Sequence, residues 1–161
     1  QVAAILSNLY LSFIEHGLSC HTRFFLHFQS LGRLHFAVSD SLFVGGSEVK
    51  CERADFGSKS SFSGQGVGAV PELADADLTN AGALAGAVIV ARRGGCAFFE
   101  KARRAQHAGA IAVIVVSPEE VVFVYPGDDE AGDITIPAVM VSSSVGAKLV
   151  DGVEVKCVAG W

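Results

Sequence analysis

Gly86-Ala-Val-Ile-Val-Ala-Arg-Arg-Gly-Gly-Cys96-Ala-Phe-Phe-Glu-Lys-Ala-Arg-Arg-Ala-Gln-His-Ala-Gly-Ala-Ile-Ala-Val-Ile-Val-Val116 reads as a strand, a tight glycine turn, a helix and a second strand. Ala87 to Val90 and Ile111 to Val116 are short apolar runs, β-branched and uninterrupted, as expected of strands covered on both faces. Between them the period changes. Phe98, Ala102, Ala105 and Ala108 fall on one helical face, with Glu100, Lys101, Arg103, Arg104 and His107 off it. An alanine-rich face lets such a helix lie close on a sheet, and Gly109 is a natural stop. Two covered strands joined by a helix of this length predict a parallel pair in a right-handed βαβ unit.

Working outward, Leu34 to Val44 turns strand-like, Gly45-Gly46 is a turn and Val49 to Ala54 predicts another strand. Gly57 to Gly68 is rich in Gly and Ser and reads as a surface loop, with a short strand at Val67 to Val70 before Pro71. Ala74 to Gly86 reads as a polar loop and Pro118 to Asp133 as a long, mobile acidic one. Thr135 to Val141 predicts a strand with Pro137 near its start. Ser142 to Ser144 suit the N-cap of a short helix ended by Gly152, and Val153 to Val158 alternates as a last strand. The fold class expected is mixed α+β: a curved sheet or partly closed β-barrel flanked by helices and containing the βαβ unit. Residues 1–35 differ from the rest. Val2, Ile5, Leu6, Leu9, Phe13 and Ile14 recur at helical spacing, predicting a helical or weakly ordered extension before a domain of residues 36–161. With Gln1 in place of Met, the chain is expected to be a processed or excised piece of something longer.

Half of the 161 residues are hydrophobic, enough for one domain with a real core, and the 12 basic against 17 acidic residues argue against nucleic acid as a partner. No apolar run is long enough to span a bilayer. The four cysteines, Cys20, Cys51, Cys96 and Cys157, have no zinc spacing, so no metal or other cofactor is expected. Glu119, Glu120, Asp128, Asp129, Glu130 and Asp133 lack the ligand rhythm of a calcium loop, and a solvated loop is the better reading. Gly64-x-Gly66-x-Gly68 has neither the following helix nor the Lys-Ser pair of a phosphate cradle. No Gly-x-Ser-x-Gly elbow is present. A hydrolase would rest on a serine or on Cys96 beside Arg92 and Arg93 at a helix start, where a thiolate is favoured. Glu48-Val49-Lys50-Cys51 and Glu154-Val155-Lys156-Cys157 lie in the candidate second and last strands. An inserted domain brings its ends together, so Cys51 is expected beside Cys157, with Cys96 as the other candidate partner.

The run Arg93-Gly94-Gly95-Cys96-x-Phe98-x-x-Lys101, followed by Ala105-x-x-Ala108-Gly109-Ala110-x-Ala112, resembles the signature of the protease-associated (PA) domain. The resemblance extends to Ala54-Asp55-Phe56-Gly57, to Leu78-Thr79-Asn80 with Leu84-Ala85-Gly86, and to Ile134 through Ser142 with Gly146-x-x-Leu149, about residues 36 to 152 in all. Arg92 stands where the family often has an acidic residue, and Asp75-Ala76-Asp77 where it often has a cysteine. The resemblance implies the same sheet-and-helix architecture. It makes Cys96, Phe98, Lys101, Ala105, Gly109 and Pro137 structural residues. It also implies a non-catalytic module that binds peptides, or controls substrate access, for a larger protease, sorting receptor or ubiquitin ligase. Family members lie mostly on the lumenal, vacuolar or extracellular side. The partner implied is a protein or peptide ligand or another domain of the parent chain; a structural spacer is the remaining alternative. The turn with Arg92, Arg93, Gly94 and Gly95, faced by Asp128 and Asp129 of the acidic loop, is the expected peptide site, since a strand-to-helix turn presents backbone N–H groups and a positive dipole end.

Overall fold

The computed structural model describes residues 40–120 and 129–160, and the backbone of two short strands before them, β1 (Phe25–Leu26) and β2 (Phe36–Ala37). β1 and β2 pair antiparallel in a small ladder belonging to a separate unit. The helix expected over Val2 to Ile14 lies outside the described residues.

Asp40–Gly160 forms one unit built on a curled eight-stranded sheet. Its strands are β3 (Ser41–Val44), β4 (Ser47–Val49), β5 (Glu52–Arg53), β6 (Phe62–Gly68), β7 (Val88–Arg92), β8 (Ala112–Val116), β9 (Ala138–Val141) and β10 (Glu154–Val158), and their order across the sheet is β4-β3-β10-β6-β7-β8-β9-β5. β6, β7, β8 and β9 run parallel, and antiparallel strands flank them on both sides. The expected parallel pair is present in the register Val88↔Ala112 to Arg92↔Val116. The helix between them, α2 (Phe98–His107), follows a short α1 (Ala81–Leu84) inside the segment expected to be loop. α1 forms because Leu84 finds a fully buried site.

Both faces of the parallel strands are covered, which is why they read as unbroken apolar runs. Ile89, Val113, Val115 and Met140 point outward to Phe98, Ala102 and Ala105 of α2, while Val88, Ala112, Ile114, Val139 and Val141 point inward to Leu42, Phe62 and Val155. At the start of α2 the Glu100 carboxylate accepts the Ala97 N–H at 3.0 Å, half of a capping box.

The structure corrects the reading of Gly57 to Gly68 as a loop: Phe62–Gly68 is the seven-residue β6 in mid-sheet. Its glycines are there for space. A Cβ at Gly64 would meet Ile111 Cδ1 at 2.8 Å, and one at Gly66 would meet Val153 Cγ1 at 3.3 Å. β9 also begins later than expected. Thr135 is drawn off to Gln106 of α2, and Pro137 stands just before the strand with its carbonyl accepting the Val113 N–H at 3.0 Å.

Candidate functional site

A groove of roughly 710 Å³ opens at the carboxyl ends of the parallel strands β6, β7 and β8. Open α/β sheets bind ligands in this crevice, because the loops leaving adjacent strands diverge there. Its floor is Gly68, Val90, Ala91 and Val116; its walls are the loop after β6 with Ala69 and Leu73, Ser117 and Pro118 after β8, and the face of α3 (Ser143–Gly146) with Ala147 and Leu149. Gly146 lines it because a side chain there would collide with Val116.

Arg92 and Arg93 both line this groove. Arg92 is exposed on the rim and paired with Glu72 of the β6 loop at 3.0 Å. Arg93 is half-buried, and its backbone N–H donates to the Val116 carbonyl at 2.9 Å, which holds it against the end of β8. Gly94 and Gly95 are not among the lining residues. The Gly94 carbonyl is taken by Lys101, and Gly95, at φ 77°, backs onto the Asp75 side chain with no room for a Cβ. These two glycines shape the turn. Asp128 lies outside the described residues, and Asp129 opens the 3-10 turn Asp129–Ala131.

Helical periodicity put Lys101 off the buried face, and the structure corrects that: Lys101 is 1% exposed. Its ammonium donates to the Leu73 carbonyl and, at 2.6 Å, to the Gly94 carbonyl. The β6 loop and the glycine turn, which both border the groove, are thereby tied to α2. Beside them, Cys96 Sγ donates to the Ala74 carbonyl at 3.6 Å and accepts from Arg104 Nη1 at 3.3 Å, and Arg104 also donates to Ala74 at 2.9 Å.

The acidic loop is pinned at both of its described ends. Arg103 grips Asp133 with two contacts of 2.7 Å, and Gln106 bonds the Asp133 carbonyl and the Thr135 N–H. At the other end, the Glu120 carboxylate accepts from the Ser143 hydroxyl and from the N–H and hydroxyl of Ser144 at 2.9 and 2.7 Å, fastening the loop to α3. Sequence reasoning placed Arg103 off the apolar helix face and missed Glu120 as an anchor. Its signal was faint: one carboxylate matched to a serine triplet far along the chain.

The Ser143 hydroxyl, followed by the Ser144 donors, holds the Glu120 carboxyl below its ordinary value. A depressed carboxyl pKa contributes its attachment above the unfolded pKa and loses it as pH falls through the lower folded value. The loop is therefore expected to stay fastened at pH 5. The Ser144 backbone amide shift is expected to titrate with a midpoint below the ordinary glutamate value of about 4.3. A midpoint between pH 5 and 6 would break this account.

Among the described residues no group of three or more His, Cys, Asp and Glu side chains is placed to hold a metal ion, and no helix is long and apolar enough to cross a membrane.

Residues 40–149 match the family model described as PA domain. The chain is 40% identical over 73 residues to signal peptide peptidase-like 3 of Oryza sativa subsp. japonica, a match spanning 44% of this chain and 14% of that protein. It is 35% identical over 94 residues to ER degradation-enhancing alpha-mannosidase-like protein 3 of Xenopus laevis, spanning 53% of this chain and 10% of that protein. The chain thus spans a small part of the curated relatives it matches. Among solved structures, BSAP, a zinc aminopeptidase from Bacillus subtilis, superposes with a TM-score of 0.57 at 20% identity, over 76% of this chain and 30% of that one. That likeness is one of fold. With its sheet, its Arg-Gly-Gly-Cys turn and more than half of its length matched, the chain belongs to the PA domain family.

Proposed function

We propose that this PA domain is a non-catalytic accessory module that binds an extended peptide segment of a protein client, or of its own parent chain, in the groove at the ends of β6, β7 and β8. The observation that carries this reading is the groove itself: an open, mostly apolar trough with Arg93 on its wall and Ser117 and Pro118 along one side. Apolar floor suits side chains of an extended peptide. The guanidinium supplies a charge-assisted, directional contact to a carboxylate, either a chain terminus or an acidic side chain. The relatives named for signal peptide peptidase and for ER degradation support a lumenal setting in the secretory pathway.

A hydrolytic reading through Cys96 is weaker, because the partners of its sulfur among the described residues are a carbonyl and a guanidinium, and neither takes a proton from a thiol as a general base must.

The test is a titration of the purified chain with a panel of short peptides, each with a free and an amidated C-terminus. Arg93→Ala is expected to weaken the carboxylate-bearing peptides roughly ten-fold, about 1.4 kcal/mol, and leave amidated apolar ones nearly unchanged. No binding by any peptide, or equal affinity of the variant for all of them, sinks the reading in favour of a spacer.

A further inference from the structure

β4 ends at Val49 and β5 begins at Glu52, yet these strands stand at opposite ends of the sheet order. Only Lys50 and Cys51 separate them, so the sheet curls until its two edges meet at Cys51. Cys157 reaches the same seam from β10. It faces Leu42 of β3, which faces Val49 in turn. Cys157 is fully buried, Cys51 is partly exposed, and both belong to the same packed cluster inside the curled sheet.

The surroundings are organised about one guanidinium. Arg53 Nη2 donates to Cys157 Sγ at 3.3 Å, Nη1 donates to the carbonyls of Ser58 and Ser60 at 3.2 Å each, and Nε pairs with Asp40. Its side chain is 9% exposed. Asp40 in turn accepts the Gly160 N–H at 2.7 Å, joining the first and last residues of the unit. Cys96 is engaged elsewhere, with Ala74 and Arg104.

We propose that Cys51 and Cys157 are an oxidation site that closes the seam of the curled sheet as a disulfide, formed by exchange with a small or protein disulfide of the glutathione class. Cys51 is the thiol the oxidant can reach, since Cys157 is fully buried; it loses its proton against its raised pKa and attacks the oxidant's S–S bond, releasing one thiolate and leaving a mixed disulfide on Cys51. The Cys157 thiolate then attacks the Cys51 sulfur and expels the second oxidant thiolate. One S–S bond forms and one breaks; two cysteine protons are released and the oxidant takes up two electrons. Arg53 is the positioning residue for the second step, because it faces the sulfur that must act as thiolate. The hydrogen bond from the Cys51 thiol, reinforced by Arg53, holds Cys157 below its ordinary thiol pKa, while the bond to Cys157 and burial raise Cys51.

The experiment incubates the reduced chain with oxidised glutathione, blocks remaining thiols in denaturant and maps the linked peptides by mass. A Cys51–Cys157 link is expected, with a Tm about 10 °C above the reduced chain, because the bond closes a long loop. Cys96→Ser is expected to leave the link intact. Arg53→Gln is expected to slow the second step, so that a glutathione adduct on Cys51 accumulates before the same final link forms. A stable adduct on Cys51 in the unsubstituted chain, a link from Cys51 to Cys96, or two thiols that stay free overturns the proposal. The link and the Tm shift are read on the native chain, so a variant that fails to fold does not weaken them. Peptide affinity at the groove is a separate measurement.

Discussion

Phe98→Ala is expected to lower the unfolding free energy by about 3–5 kcal/mol, the usual cost of truncating a buried aromatic. Phe98 is 5% exposed at the first turn of α2. Its ring meets Phe56 edge to face, with centroids 5.3 Å apart and planes at 80°. The neighbours that would have to collapse into the void are strand residues such as Ile89 and Val113, fixed by the ladder, and small residues such as Ala102 that have no atoms to extend into it. The cavity therefore stays largely open. Denaturant unfolding measures the loss, with the slope unchanged if only the native state is affected. A loss below about 1 kcal/mol would mean that α2 does not hold the sheet in this way.

Lys101→Met is the second large effect, expected at about 2–4 kcal/mol. It keeps the apolar stem and removes the ammonium, leaving the Leu73 and Gly94 carbonyls buried without their donor, at about 1–3 kcal/mol for each unpaired group. The opposing term is the desolvation of a charge, which methionine avoids. The hydrogen bonds are expected to win because two separate loops converge on one donor. A second readout separates position from mere stability. Both loops border the groove, so Lys101→Met is also expected to weaken peptide binding under conditions where the variant is fully folded. Unchanged stability would show that desolvation cancels the two bonds.

Lys101 also marks a limit of sequence reading. Its place in the helical period assigned it to solvent, since periodicity registers hydrophobicity and a lysine scores as polar wherever it stands. The resemblance to a known signature named it as structural, but no local rule supplied the reason: two carbonyls, one from a loop 28 residues away in sequence, face inward at that point. Gly57 is similar. It belongs to the Ala-x-Phe-Gly segment, and only the fold shows why glycine is needed there: its φ is 73°, and an added Cβ would strike the Ile136 carbonyl.

The chain by itself determined the βαβ unit, the parallel pairing of β7 and β8, the apolar face of α2 and the α+β class. These depend on contiguous patterns, in which burial on both faces forces unbroken apolar runs and a helix-to-sheet contact forces small residues at a period near 3.6. Tertiary structure alone decided the rest. It made a strand of the glycine-rich Phe62–Gly68, because neighbours from Ile111 and Val153 fill the space that side chains would take. It brought Arg92 and Arg93 to a groove with α3 while turning Gly94 and Gly95 toward another loop. And it carried Cys51 to Cys157 across the seam, because a sheet whose first and last strands are two residues apart in sequence must curl until its edges meet.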